Sequence, residues 1–267
     1  MRVQHGYSDL LRGLTNYLSR GQLLVLSACL SLGLVLLGNS ALSQPNSIEA
    51  VPETAPTNAA VYHFKVGDFK AMVVSDGTLS FPASFFVPKA DPNAVTAVLT
   101  DHFLSTEDVF AHVNALYIET DEHQVLIDTG SGDAFGPTAG HLLENLEAAG
   151  VAVTDIDAVI LTHAHPDHIG GILDTDGQLR LPNAQFYISQ TESDFWTADT
   201  VELPKSLLDE ETKAGLMATA KGTMMAIRDR TTLFTMGDEV IPHIQAVDST
   251  GHTPGQASYL ITSGEES

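Results

Sequence analysis

The densest chemistry in the chain is His163-Ala164-His165-Pro166-Asp167-His168, where three imidazoles and one carboxylate fall within six residues. Groups of these types ligate divalent cations. They directly follow an apolar run, Ala158-Val159-Ile160-Leu161, that reads as a buried strand. In an extended segment, residues two apart face the same side, so His163 and His165 can converge on one ion. Pro166 keeps His165 out of the helical region and so holds it extended. Asp167 and His168 then sit at the turn into a helix and can face a second ion nearby. Gly170 and Gly171 keep that turn slim, so that backbone can pass close to the site. Imidazole and carboxylate suit zinc, with manganese, iron or cobalt as substitutes. A polar surface loop rich in His would account for one such residue, but not for four ligands at this spacing.

The elements that must position these groups alternate between strand-like and helix-like. Short β-rich runs occur at Tyr62–Val66, Phe69–Ser75, Ala115–Glu119, Gln124–Ile127 and Ala158–Leu161. Further runs occur at Gln185–Ile188, Thr232–Thr235, His243–Val247 and Ala257–Ile261. Between Thr138 and Gly150, the residues Leu142, Leu143, Leu146 and Ala149 fall at helical spacing, with Thr138 as N-cap and Gly150 as stop. A second helix is expected over Leu207 to Arg228, burying Leu207, Leu208, Met217 and Met224; its methionines read as core or flexible cover. No internal repeat is visible. Strands followed repeatedly by helices predict an α/β fold with sheets covered by helices, and leave its topology open.

The chain has 267 residues, 43% of them apolar, which is enough to bury a sizeable core. Its formal charge of −22 repels nucleic acid and anionic headgroups, so the expected partner is a small, neutral molecule. The single cysteine, Cys29, rules out an intrachain disulfide and a zinc–thiolate cluster. Any metal must therefore be held by His, Asp or Glu. Arg2, Arg12 and Arg20 precede an apolar run from Leu23 to Leu37, and a small-residue exit ends at Ser43. This is the pattern of a secretory signal over 1–43, cleaved after Ser43, and it predicts a periplasmic or extracellular protein. Two alternatives stand beside it. One is an uncleaved anchor, short for a span of ~20 residues; the other is lipid anchorage at Cys29, since Leu26-Ser27-Ala28-Cys29 resembles a lipoprotein box. The membrane enters only through this segment. Residues 44–60, rich in Pro, Asn, Thr and Ala, read as a flexible linker, and 61–267 as the folded domain.

The run from His163 to His168 resembles the His-x-His-x-Asp-His motif of the metallo-β-lactamase superfamily. Asp128-Thr129-Gly130 and Ser249-Thr250-Gly251-His252-Thr253-Pro254-Gly255 match two further segments of that family, in the expected order. The resemblance implies an αββα sandwich holding two zinc ions, with His252 as the third ligand of the first ion. It implies further that Asp128 orients a ligand His or the metal-bound water, although an Asp-Thr-Gly after a strand is often simply a turn. Within the superfamily the chain is most similar to the methyl parathion hydrolase and quorum-quenching lactonase branch. Phe64-Lys65-Val66-Gly67-Asp68-Phe69, Ser75-Asp76-Gly77, Phe135-Gly136-Pro137-Thr138 and Asp194-Phe195-Trp196 carry that likeness. It implies a substrate pocket lined by Phe135 and Trp196; that both are simply core aromatics is the alternative reading.

The family also carries a bridging Asp after the third His, and a further His near the C-terminal end. Beyond His252 this chain has only Glu265 and Glu266 as acidic residues and no His. The expectation is therefore a sandwich cut short at its C-terminus, with the first metal site complete and the second incomplete. In the family, two ions ~3.5–4 Å apart share a water and lower its pKa toward ~7. The resulting metal-bound hydroxide would attack a neutral ester, lactone or organophosphate triester, and Asp167 would take up the released proton. No Gly-x-Ser-x-Gly elbow offers a serine nucleophile instead. A β-lactam fits less well, because that branch commonly has another residue at the position of His168; a thioester fits less well with export. A non-catalytic, exported metal-binding remnant is the competing reading. A homodimer is allowed.

Overall fold

The computed structural model of the chain describes residues 59–267. The expected signal over 1–43, Cys29, and the linker as far as residue 58 lie outside the described residues. Among the described residues, no helix is long and apolar enough to cross a membrane.

Among the described residues, ten strands form two sheets. The large sheet runs in sequence order from β1 (Val61–Val66) through β2 (Phe69–Pro82), β3 (Asp108–Glu119), β4 (Gln124–Ile127), β5 (Ala158–Ile160) and β6 (Gln185–Ser189) to β7 (Thr231–Phe234). Its first four strands pair antiparallel; β4 to β7 pair parallel, with Val125 opposite Ala158 and Val159 opposite Phe186. The small sheet has the order β10-β9-β8, from β8 (Glu239–Ile241), β9 (Ile244–Asp248) and β10 (Ala257–Ile261). Six α-helices accompany them among the described residues: α1 (Ala83–Phe86), α2 (Pro92–Asp101), α3 (Leu142–Ala148), α4 (Pro166–Ile169), α5 (Gln190–Thr197) and α6 (Glu210–Ile227).

Alternation along the strands divides the core. Val74, Tyr117, Leu126, Val159 and Phe186 pack with Leu142 and Leu146 of α3, Trp196 of α5, and Ala220, Met224 and Ile227 of α6. Their neighbours Ala71, Ile118, Val125, Ile127, Ala158 and Ile160 face the other way, against Ile241 and Ile244 of the small sheet. All three residues of β5 are fully buried, as parallel strands covered on both faces must be. The layers are thus helices, large sheet and small sheet. The second helical layer of an αββα sandwich has no counterpart among the described residues, where Gln245, Val247, Ser258 and Leu260 on that side are exposed.

Several elements differ from the sequence reading. Strands β2 and β3 are longer than expected, because a register shift between Ser75 and Gly77 lets the pairing continue past the irregular Ser-Asp-Gly. Helix α3 starts at Leu142 and not after Thr138: the buried Asp76 carboxylate accepts from Leu142 N and Gly140 N and supplies the helix start from 66 residues away. The stop at Gly150 holds, with φ +91°. Helix α6 is capped by Asp209, whose side chain accepts from Thr212 N at 2.8 Å, and this leaves Leu207 outside it and exposed. Strand β8, three residues long, was too short to show a pattern.

Candidate metal centre

The site lies where the parallel strands end, in the crevice where open α/β sheets bind ligands. Asp128 follows β4; Thr162 and His163 follow β5. His165 is extended, at φ −75°, ψ 152°, as its place before Pro166 requires. His163 and His165 project to one side, with ring nitrogens 3.2 Å apart. The loop between β9 and β10 brings His252 to them.

The three rings meet through defined atoms. His163 Nε2 lies 3.2 Å from His165 Nδ1, which lies 2.8 Å from His252 Nε2. One ring nitrogen from each residue falls within 4.8 Å of the others. Nitrogens so close fit a single ion bound at ~2.0–2.1 Å from each. The tautomer of His163 is set locally. The Thr162 hydroxyl donates to Asp128 Oδ2 at 2.8 Å, so its oxygen accepts from His163 Nδ1–H at 3.0 Å, which leaves Nε2 without a proton.

Charge state follows from burial. Burial, reinforced by His168, His165 and His252, pushes His163 well below the ordinary imidazole range. Burial and the neighbouring His252 push His165 down to about 4. His252 is lowered too, by burial and then by His168. At neutral pH the triad is three uncharged imidazoles, the form in which histidine ligates a cation. The residues fit a bound metal ion.

His168 behaves in the opposite way. Burial works against its charge, but Asp128 and Asp167 outweigh that and hold it up at about 10. Its Nδ1 lies 2.8 Å from Asp128 Oδ2 and its Nε2 3.3 Å from Asp167 Oδ2. Burial would raise the Asp167 carboxyl, yet the hydrogen bond and charge of His168 leave it lowered. Asp128, at φ 63°, is held in the left-handed region that Asp tolerates. It accepts from Thr162 N at 2.8 Å and lies 2.8 Å from His168 Nδ1, a contact that orients that imidazole. The loop is clamped to α4: Thr129 N and Oγ1 both donate to His168 O, at 2.7 and 2.9 Å. A Cβ on Gly170 would meet the Ser131 carbonyl oxygen, and one on Gly171 that of Thr129.

The two aromatic residues are placed differently. Phe135 is partly exposed on the loop between β4 and α3. Trp196 is fully buried beneath His165, with ring centroids 5.6 Å apart, so it presents no face to a pocket and matches the core-aromatic alternative. Thr162 and Glu192 take part in the site's framework and have no role in the sequence reading, while Asp76 figures there only within the Ser75-Asp76-Gly77 likeness. Only Ser189-Gln190-Thr191-Glu192 carried a signal, that of a helix start. A cleft beside His168, bordered by Leu116, Ile127, Thr162, Tyr259 and Ile261, opens between the two sheets.

Comparison with known proteins adds four observations. A family model described as the metallo-β-lactamase superfamily matches residues 109–184. Among solved structures, the chain is similar to AidC, a dizinc quorum-quenching lactonase in complex with a product: 29% identity, 78% of this chain and 72% of AidC covered, TM-score 0.74. It is also similar to the hydrolase AbOPH of the β-lactamase superfamily, at 30% identity with 78% of this chain and 72% of that one covered and a TM-score of 0.65. A curated relative, YobT of Bacillus subtilis (strain 168), is 29% identical over 150 residues, and the match spans 57% of its length and 56% of this chain.

Proposed function

The chain belongs to the metallo-β-lactamase superfamily, and from that membership we propose that it is a metal-dependent hydrolase of neutral esters, either lactones or organophosphate triesters. The observation that carries this reading is the meeting of His163 Nε2, His165 Nδ1 and His252 Nε2 across two distant stretches of chain. Similarity to AidC supports the lactone class, and similarity to AbOPH supports a hydrolase. The acidic surface favours an uncharged substrate.

The three neutral imidazoles would hold a first ion, zinc by ligand type, with Asp167 and His168 beside it for a second. Bound there, the metal supplies Lewis acidity that polarises a carbonyl or phosphoryl oxygen and makes water nucleophilic near pH ~7. The chain's own residues do the rest. Thr162 and Asp128 fix which nitrogen of His163 faces the site. Asp128 keeps a proton on His168 Nδ1 and so presents Nε2. Asp167 holds an ionised carboxylate able to accept the proton released when water adds to the substrate.

The test is metal content and turnover on the purified full chain with zinc, using an aryl ester, an acyl lactone and an aryl phosphate triester. Tightly held zinc with turnover of at least one substrate is expected, and His252→Ala should lose both together. A second reading, a metal-binding protein without turnover, is favoured by the pairing of Asp167 with His168 alone, without a third ligand among the described residues. One ion and no hydrolysis would replace the first reading with the second.

A further inference from the structure

Glu192 is a fully buried carboxylate on the first turn of α5. Ser189-x-x-Glu192 has the pattern of a reciprocal helix cap, in which the Glu side chain turns back to the backbone of the Ser. Only half of that cap is made: Ser189 Oγ accepts from Glu192 N at 3.1 Å. The carboxylate is committed elsewhere. Its Oε1 accepts from Ala164 N at 3.1 Å and from the Trp196 indole N–H at 2.7 Å; its Oε2 accepts from Gly255 N at 2.9 Å.

Each of these partners belongs to the site. Ala164 stands between His163 and His165, so its bond fixes the peptide that aims both rings. Gly255 closes the turn that carries His252, and Ser189 Oγ holds the same turn by donating to Gly255 O at 2.6 Å. A Cβ on Gly255 would strike Ser189 Oγ and the backbone of Glu192, so this approach needs glycine. The indole that shares Oε1 packs under His165. All three bonds come from N–H donors, which suits an ionised carboxylate. Among the described residues, no Lys, Arg or His lies within ion-pair distance of it. A buried charge without a counter-charge is costly. A divalent cation among the adjacent imidazoles would supply that counter-charge.

We propose that Glu192 is the positioning residue of the metal centre, bridging the two segments that carry the ligands and favouring a divalent cation between them. This rests on the reading of His163, His165 and His252 as a cation site.

The experiment is titration of the metal-free full chain with Co(II), reading the visible ligand-field spectrum for coordination geometry and competition with a chromophoric chelator for affinity. Far-UV circular dichroism reports folding. The wild-type chain is expected to bind Co(II) with a defined spectrum. Glu192→Gln should fold, bind about 10- to 100-fold more weakly and show an altered spectrum. Trp196→Phe, which keeps the bonds to Ala164 and Gly255, should retain the wild-type spectrum. Should Glu192→Gln fail to fold, Glu192→Asp decides the matter: with the charge kept and the reach shortened, weaker binding and a shifted spectrum support the proposal. Wild-type affinity and spectrum in the folded Gln or Asp variant overturn it. Loss of the spectrum in Trp196→Phe as large as in Glu192→Gln also overturns it, because packing would then be the cause. Absence of Co(II) binding by the wild-type chain overturns the cation-site reading itself.

Discussion

At the scale of residues, one cluster contains histidines displaced in opposite directions. His163 and His165 are lowered, chiefly by burial, and His168 is raised to about 10 by two carboxylates that outweigh its burial. The consequences for the metal-free chain follow from linkage. For the lowered pair, the unfolded chain binds protons first, so their stability is complete above pH ~6.5 and is lost as pH falls toward about 4. For His168 the sign reverses: its contribution is complete below pH ~6.5 and is lost as pH rises through about 10. Stability of the chelated protein should therefore peak near neutral pH. The acid loss due to His165 should be on the order of 3 kcal/mol. Thermal or urea unfolding across pH 4–10 checks this, with His168→Asn expected to remove the alkaline limb. A stability that stays flat from pH 6 down to 4 would contradict the burial of the triad as neutral rings.

At the scale of elements, the site depends on how closely α4 and the β4 loop approach. Gly171 faces the Thr129 carbonyl with no room for a methyl group, whereas Gly215 in α6 has nothing within 4 Å of the same position. Gly171→Ala should therefore cost about 1–3 kcal/mol through overpacking and weaken metal binding, because Thr129 anchors His168 O. Gly215→Ala should stabilise by about 0.5–1 kcal/mol through the lower backbone entropy of the unfolded chain. Denaturant unfolding of the two variants provides the comparison, and equal effects would refute the close approach. This contrast was only half legible beforehand. The spacing of Gly170 and Gly171 after the His cluster announced a tight passage, but not that the Asp128-Thr129-Gly130 loop was what passed there.

At the scale of the whole molecule, the triad joins the two sheets. His163 and His165 extend from the large sheet, and His252 sits on the loop between two strands of the small one. Ala257 N donates to Thr162 O at 3.0 Å and Tyr259 OH to Leu161 O at 2.7 Å, and these bonds hold the same seam. A metal ion bound across it would act as a staple. Zinc at 100 times its dissociation constant should add about 2.7 kcal/mol to the unfolding free energy, and chelation should remove it. His252→Ala should abolish the zinc-dependent part while changing the apo stability least, since His252 is the most open of the three rings. Differential scanning calorimetry with and without zinc measures both quantities. An unchanged midpoint on chelation would argue against a bridging ion.

What the sequence determined by itself was local. The spacing of His163, His165, Asp167 and His168 follows from the period of an extended chain and from one proline, and both act within a few residues. Strand interiors such as Gln124–Ile127 and Ala257–Ile261 were legible for the same reason, because alternation and apolar runs record burial directly. The tertiary structure alone decided what depends on distant partners. Helix α3 begins where Asp76, far upstream, reaches it, and not at the local candidate cap. Glu192 carried the mark of a helix cap, yet its carboxylate serves two ligand-bearing segments that meet only in the fold. Trp196 became a buried support for His165 because its indole N–H found that carboxylate. Long-range hydrogen bonds leave no periodicity in a chain, so these roles became visible only once the strands were paired.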